Sequence, residues 1–121
     1  VEVSPGAISS AISAARHAGL SRGAATFIAD DATAWARAQA PKDVPDVIVV
    51  NPPRRGIGAD LAAYLNECDA PRVIYSSCNP ASLATALAAM PSLRPVEGRI
   101  FDMFPHTTPA EVALLLEREH A

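Results

Sequence analysis

The sequence predicts an α/β fold in which strands and helices alternate around a mostly parallel sheet with an antiparallel final strand. Short apolar runs such as residues 47–50 recur along the chain, and alanine-rich segments with helical spacing separate them. Near the end, a segment with two prolines forces a turn between the last two apolar runs, which predicts their antiparallel pairing. Hydrophobic residues make up 50% of the 121 residues, so we expect a packed core and not a disordered chain.

The first third of the chain predicts two short strands, each followed by a helix. Residues 1–3 read as a strand, after which Ser4 can cap a helix and Pro5 can occupy its first position. Residues 25–29 predict the second strand, and the alanine-rich segment 32–40 predicts the second helix. This part of the sequence therefore predicts two successive strand–helix units.

The rest of the chain continues the alternation of strands and helices. The first of its strands is rich in β-branched residues, which favours a central place in the sheet. We expect a strand at 46–50, a helix at 60–66, a strand at 73–76, a helix opened by Pro80 that continues to Met90, and strands at 99–103 and 112–116.

Charge and cysteine content limit the classes of function. The formal net charge of -3 gives no electrostatic footprint for nucleic acid, so any grip on RNA must come mainly from elsewhere. The two cysteines can form at most one disulfide, and no segment resembles a signal peptide or a membrane span. We therefore expect a cytoplasmic protein with no membrane partner, and we predict no metal site.

Two polar motifs follow apolar runs directly, as residues of a functional site would at the carboxyl ends of parallel strands. The first is NPPRRG at 51–56 and the second is YSSCNP at 75–80. Cys78 precedes a predicted helix N-terminus, whose partial positive charge favours a nucleophilic thiolate. The alternative is a small buried residue that fills a strand end. Cys68 lacks this setting, and we expect it to serve packing.

Five other side chains are candidates for binding. The amide of Asn51 can orient a planar heterocycle, and Arg54 is expected to face the substrate at the sheet edge; the alternative is a strand terminator followed by a solvated charge. Glu2 has the position of an acid that binds a ribose hydroxyl, and Asp30 and Asp31 could accept a hydrogen bond from an adenine amino group. Each acid could instead be a helix cap or a surface charge.

Taken together, the motifs NPPRRGIG, YSSCNP and FDMFPHTTPAE resemble those of the RNA uracil-5-methyltransferase family, which uses S-adenosylmethionine. The resemblance extends over essentially the whole chain and implies a Rossmann-like methyltransferase sheet. It implies that Cys78 is the nucleophile, Glu111 the general base, Glu2 the ribose-binding acid and Asp31 the adenine contact. Asn51 lies in the motif that lines both the methyl donor and the target base.

The resemblance also implies a reaction. Cys78 would add to carbon 6 of uracil, and Glu111 would remove the proton from carbon 5 after methylation, so that 5-methyluridine is released. The motifs favour ribosomal RNA over transfer RNA as the substrate. Two other classes remain open: an amino-group methyltransferase that uses the NPP motif at 51–53 with a structural Cys78, and a noncatalytic interaction domain.

Against the family pattern, the chain begins at what would be the second strand of the sheet. We therefore expect residues 1–121 to be the C-terminal part of a class I methyltransferase domain, without the first, central strand and its glycine-rich turn, and without the upstream RNA-binding domain. We expect this fragment to be inactive alone. Its open sheet edges would pair within or between chains.

Overall fold

A computed structural model of the chain describes residues 1–102 and 110–119. The chain divides into two compact units, Val1–Gln39 and Ala40–Ala121. Within the part of the chain that the structure describes, no helix has the length and apolar character needed to cross a bilayer.

The first unit consists of two capped helices and the segments that precede them. Helix α1 spans Pro5–His17 and helix α2 spans Ala32–Arg37, which is shorter than predicted. The side chain of Ser4 accepts a hydrogen bond from the backbone N–H of Ala7, and Pro5 occupies the start of α1. The predicted start of α1 is thus confirmed.

The two strands predicted for the first unit are wrong as extended strands. They are reduced to one parallel bridge between Glu2 and Ala29. Its hydrogen bonds run from Glu2 N–H to the Ile28 carbonyl at 2.9 Å and from Asp30 N–H to the Glu2 carbonyl at 3.0 Å. Within the first unit, the segment at Glu2 and the segment at Ala29 pair only with each other. An isolated pair of short strands is marginally stable, and here the pairing is limited to one bridge.

The second unit is built on a four-stranded sheet in the order β1, β2, β4, β3. Two helices accompany it, and the proline-rich segment before β1 forms one turn of 3₁₀-helix. The elements are β1 at Val47–Val50, α3 at Ala59–Glu67, β2 at Arg72–Ser77, α4 at Pro80–Ala88, β3 at Leu93–Phe101 and β4 at Glu111–Arg118.

The prediction of a mostly parallel sheet with an antiparallel final strand is confirmed for these four strands, since β1, β2 and β3 run in the same direction and β4 runs opposite to them. β1 and β2 are parallel, but β4 is antiparallel to both β2 and β3. The connection between β3 and β4 is shorter than the dozen or so residues that a parallel crossover requires. Because β4 also lies between β3 and β2, one reversal produces both antiparallel pairings.

β3 begins earlier than the sequence predicted, at Leu93 instead of Arg99. The residues before Arg99 include Pro95, which lacks the N–H that an internal strand would donate. The register shifts between Pro95 and Glu97, as expected for a proline on an edge strand. Met103, the predicted end of this strand, lies outside the described residues.

The core lies on the face of the sheet that packs against α3 and α4. Its fully buried side chains are Leu65, Val73, Tyr75, Met90 and Leu116. Burial alternates along β2, so the residues between these core positions project toward the opposite face. That alternation determines which face of the sheet carries the candidate site.

Candidate active site

Cys78 lies in the turn between β2 and α4, as the sequence predicted. The thiol is free and half-buried. The next residue, Asn79, caps α4 by accepting a hydrogen bond from the backbone N–H of Ala81 at 3.1 Å, and Pro80 opens the helix. Cys78 therefore stands one residue before the N-cap, where the helix dipole favours an anion.

The backbone around Cys78 is fixed by the preceding serine. Ser77 is only 3% exposed, and its hydroxyl accepts a hydrogen bond from the N–H of Asn79 at 3.1 Å and donates to the Asn79 carbonyl at 3.0 Å. Ser82 donates to the same carbonyl at 3.1 Å. The short turn that carries the thiol is thus held on both sides by side-chain hydrogen bonds.

The two sequence motifs are in direct contact. The amide nitrogen of Asn79 donates to the carbonyl of Arg54 at 3.0 Å, which links YSSCNP to NPPRRG. The loop also packs closely at Gly56, where φ is 91° and a Cβ atom would lie 3.2 Å from Cβ of Ser82. The side chains of Asn51 and Arg54 remain exposed, so they can meet a large ligand.

Glu111 begins β4 beside the end of β2. Ser76 pairs with Ala113, and Glu111, two residues before Ala113 on β4, shares its face of the sheet. Opposed residues of antiparallel strands share one face of the sheet. The hydroxyl of Ser76 donates to Oε1 of Glu111 at 2.7 Å. Ser76 and Glu111 thus lie on one face of the sheet and in contact, and Cys78 follows Ser76 by two residues.

Asn51 joins the same cluster from the end of β1. In the amide orientation that satisfies both of its polar atoms, Nδ2 donates to Glu111 Oε1 and to the Ser76 carbonyl, each at 3.3 Å. The sequence indicated Asn51 and Glu111 separately but missed Ser76 and the hydrogen bonds that join the three. The sequence did carry a signal for Ser76. Residues two apart along a strand face the same way, and Ser76 lies two residues before Cys78.

The two acids assigned to the cofactor lie in the first unit. Glu2 is exposed at the bridge to Ala29, and its Oε1 accepts a hydrogen bond from the N–H of Ser4 at 3.2 Å. Asp31 is the N-cap of α2, with Oδ1 accepting from the N–H of Ala34 at 2.9 Å. A carboxylate has several acceptor positions, so a cap can also accept from a ligand. Both groups suit the hydroxyl and amino donors of an adenosine.

Two other features of the sequence are the FDMFPHTTPAE motif and Cys68. Most of the FDMFPHTTPAE motif, residues 103–109, lies outside the described residues, and Glu111 is its last residue. Cys68 follows α3, and its sulfur lies 3.7 Å from the guanidinium of Arg118. That guanidinium also donates to backbone carbonyls at the end of α3, so Cys68 belongs to a packing contact before the start of β2, whereas Cys78 follows the end of that strand.

Comparison of folds identifies the class of protein. The chain resembles the crystal structure of Pyrococcus abyssi tRNA (uracil-54, C5)-methyltransferase in complex with S-adenosyl-L-homocysteine. The TM-score is 0.79 at 26% sequence identity, over 94% of this chain and 26% of that one. The fold of this chain is therefore similar to that of an α/β domain in a nucleic-acid methyltransferase.

Sequence comparison identifies the family. Residues 43–119 match the family model of tRNA (Uracil-5-)-methyltransferase, and the chain belongs to this family. It is 42% identical over 118 residues to the 23S rRNA (uracil(747)-C(5))-methyltransferase RlmC of Pectobacterium atrosepticum, covering 98% of the chain and 30% of that protein. The RlmC of Edwardsiella ictaluri is 43% identical over 121 residues, 100% of the chain and 31% of that protein. The chain thus spans about 30% of the length of these curated relatives.

Proposed function

We propose that the full-length protein transfers a methyl group from S-adenosylmethionine to carbon 5 of a uridine in RNA. Family membership and the cofactor product bound by the P. abyssi relative support this proposal. The observation that carries it is the hydrogen-bonded cluster of Asn51, Ser76 and Glu111 beside the turn that holds Cys78.

The chemistry requires covalent activation of the base, because carbon 5 of uracil is a weak nucleophile. Cys78 as the thiolate adds to carbon 6, which makes an enolate with electron density at carbon 5. Glu2, Asp31 and Asn51 are the residues that we assign to S-adenosylmethionine, which would supply the methyl group that carbon 5 takes up and would leave as S-adenosylhomocysteine. Glu111 then takes the proton from carbon 5, the electrons of that bond form the carbon 5–carbon 6 double bond, and Cys78 leaves.

Asn51 and Arg54 are assigned to the substrate. Asn51 follows β1 with its amide at the cluster, where it can also meet the edge of the target base. Arg54 is exposed in the loop after β1, and its guanidinium can bind a phosphate of the RNA. A base inside a helix cannot reach such a site, so the uridine must leave its stack.

Ribosomal RNA is the proposed substrate. The two RlmC relatives named above, which are 42% and 43% identical to the chain, are 23S rRNA methyltransferases, whereas the structural relative that acts on tRNA is 26% identical. We expect the full-length protein to methylate a 23S rRNA fragment around the uridine equivalent to position 747 and to leave tRNA unmodified. Equal or greater methylation of tRNA would contradict this choice of substrate.

The covalent step is tested with RNA that carries 5-fluorouridine at the target. Carbon 5 then has fluorine in place of the proton, so elimination stops and the full-length protein stays attached to the RNA. We expect a denaturation-resistant adduct with the native protein and none with the Cys78→Ala variant. An amino-group methyltransferase or a noncatalytic domain would form no adduct. Absence of an adduct with the native protein would therefore overturn the proposal.

Our proposals on the wider fold also concern the full-length protein. We propose that the four strands belong to a larger Rossmann-like sheet, in which a further strand lies beside the free edge of β1. On this basis residues 1–121 alone would lack methyltransferase activity and would self-associate through that edge. Measurements of activity and sedimentation on the isolated chain check both expectations.

Cytoplasmic location stays a prediction that fractionation of cells can test.

A further inference from the structure

We propose that Ser76 is a positioning residue that holds Glu111 for the removal of the carbon 5 proton. This inference depends on the proposed function, because Glu111 has a proton to remove only if a uridine is methylated at the site. It concerns a residue outside the nucleophile, the base and the groups assigned to ligand binding.

The contact is short and its donor is rigidly placed. The hydroxyl of Ser76 lies 2.7 Å from Oε1 of Glu111, within the range of a charge-assisted O–H···O bond. Ser76 lies between Tyr75, which is 0% exposed, and Ser77, which is 3% exposed. β2 also has hydrogen-bonded strands on both sides. The hydroxyl is thus fixed to an internal strand of the sheet between two buried neighbours, whereas Glu111 is the first residue of β4.

A second donor engages the same oxygen. Nδ2 of Asn51 lies 3.3 Å from Oε1 of Glu111 and 3.3 Å from the Ser76 carbonyl. The three groups therefore form a closed triangle in which each contacts the other two. Because both donors act on Oε1, the arrangement assigns Oε2 as the atom that receives the proton.

The hydrogen bond from Ser76 to Glu111 affects one step of the reaction, the elimination that releases Cys78. Addition of the Cys78 sulfur to carbon 6 needs no help from Glu111. Elimination needs the Glu111 carboxylate within reach of carbon 5, where Oε2 takes the proton, the carbon 5–carbon 6 double bond re-forms and the carbon 6–sulfur bond breaks. A glutamate with free side-chain torsions samples many positions that cannot accept this proton. Loss of the Ser76 hydroxyl should therefore slow elimination and spare addition.

The experiment compares Ser76→Thr with Ser76→Val in the full-length protein. The two side chains have nearly the same shape, but only threonine keeps a hydroxyl, so their difference isolates the hydrogen bond. We expect Ser76→Thr to keep kcat close to that of the native protein and Ser76→Val to lose about 10–100-fold in kcat. KM for RNA should change little in either. With ordinary uridine RNA, the valine variant should accumulate the covalent protein–RNA adduct that the native protein resolves.

5-Fluorouridine RNA separates failure of this inference from failure of the proposed function. Since the fluorine blocks elimination in every variant, all of them should form the trapped adduct at the native rate. If the native protein forms no adduct, the proposed function fails. If the native protein is trapped but the threonine and valine variants turn over equally, Ser76 has no positioning role. A valine variant that is not trapped would mean a damaged addition step and would likewise overturn the inference.

A smaller substitution guards against a folding defect. Ser76→Ala removes the hydroxyl without adding volume on the sheet face, and it should show the same accumulation of adduct as Ser76→Val. Thr85 offers a matched control, because its hydroxyl donates to a carbonyl within its own helix, Ala81, at 3.1 Å. Thr85→Ala should leave kcat and adduct resolution unchanged. Accumulation of adduct in Thr85→Ala as well would show that hydroxyl loss acts nonspecifically, and would overturn the assignment to Ser76.

Discussion

The two units of the chain differ sharply in how much structure supports their functional side chains. Within Val1–Gln39, Ala36 is the one buried residue, and the strand pairing consists of a single bridge. Among its described residues, the second unit has a four-stranded sheet and a core in which nine buried residues form one cluster. The residues assigned to bond making lie in the well-packed unit. The acids assigned to the cofactor, Glu2 and Asp31, depend on local caps and the bridge.

This difference has a physical rationale in the proposed reaction. Proton removal tolerates little error in position, because a displacement of about 1 Å can cost on the order of 100-fold in rate. Accepting a hydrogen bond from a ribose or an adenine can follow the ligand, since an exposed carboxylate adjusts at small cost. Changes to the second unit should therefore affect chemistry and stability, and changes to the first should affect ligand affinity.

The largest expected effect is that of Glu111→Gln. The amide cannot take the carbon 5 proton, so turnover of uridine RNA should fall by roughly 10²–10⁴-fold while trapping by 5-fluorouridine RNA persists. Glu117→Gln is the matched control, because Glu117 lies on the same strand and face but forms an exposed ion pair with Arg72 at 3.6 Å. Assays of methyl incorporation give the rates. Normal turnover by Glu111→Gln would remove Glu111 from the mechanism.

A pair of truncations tests the contrast in packing between the units. Leu65 is 0% exposed and Ile12 is 37% exposed. We expect Leu65→Ala to lower the free energy of unfolding of the second unit by about 2–5 kcal/mol. Ile12→Ala should cost less than about 1 kcal/mol, because it removes little buried surface. Hydrogen exchange under native conditions resolves the two units. Equal losses would mean that Ile12 is as well packed as the core.

The sequence was sufficient for features that depend on local chemistry. The β-branched run before Asn51 predicted β1, and the Asn79–Pro80 pair predicted the start of α4 through the cap and the fixed φ of proline. The strand prediction at 25–29 failed because an apolar run becomes a strand only where a neighbour continues the ladder. Such a neighbour is a property of the tertiary fold.

The cluster around Glu111 shows the same limit within the site. Ser76 and Glu111 are 35 residues apart in sequence, and their hydrogen bond exists because β4 pairs with β2 in one particular register. Motifs indicated Glu111 and Cys78 as candidates, but no local pattern reveals which of two adjacent serines faces the carboxylate. Strand alternation gives that answer once the core face is known, since buried Tyr75 and Ser77 leave Ser76 on the other face.

A smaller effect is expected at Asp31, where substitutions separate two roles. Asp31→Ser keeps an N-cap acceptor for α2 but removes the carboxylate, so we expect affinity for S-adenosylmethionine to fall about tenfold while the helix persists. Asp31→Ala should lose the same affinity and also destabilise the first unit by about 0.5–2 kcal/mol. Calorimetry on the full-length protein measures the binding. If Asp31→Ser binds normally, Asp31 is a helix cap and has no contact with the cofactor.

The smallest expected effect concerns Tyr75, in the core of the second unit. Its hydroxyl is the one buried side-chain polar atom without a hydrogen-bond partner among the described residues. Tyr75→Phe removes that polar atom and keeps the ring, so stability at pH 7 should stay unchanged or rise by up to about 1 kcal/mol. Tyr64→Phe serves as the comparison, because Tyr64 is only partly buried and should show no gain. A loss of stability of about 1 kcal/mol or more would mean that the Tyr75 hydroxyl has a partner after all.

Alkaline pH sharpens this last test. Burial raises the pKa of Tyr75 above its usual value of 10.0, and the nearby Ile57 backbone, which does not reach hydrogen-bond geometry with the hydroxyl, acts in the opposite direction. The folded protein therefore holds the phenolic proton to a higher pH than the unfolded chain does. The stability linked to this group is fully present below about pH 10 and is lost as the pH rises through the raised pKa. Urea denaturation of the native protein and Tyr75→Phe across this range should show the stability of the native protein falling more steeply. Parallel curves would place the Tyr75 hydroxyl in contact with water, and the packing of the second unit would then be looser than its core suggests.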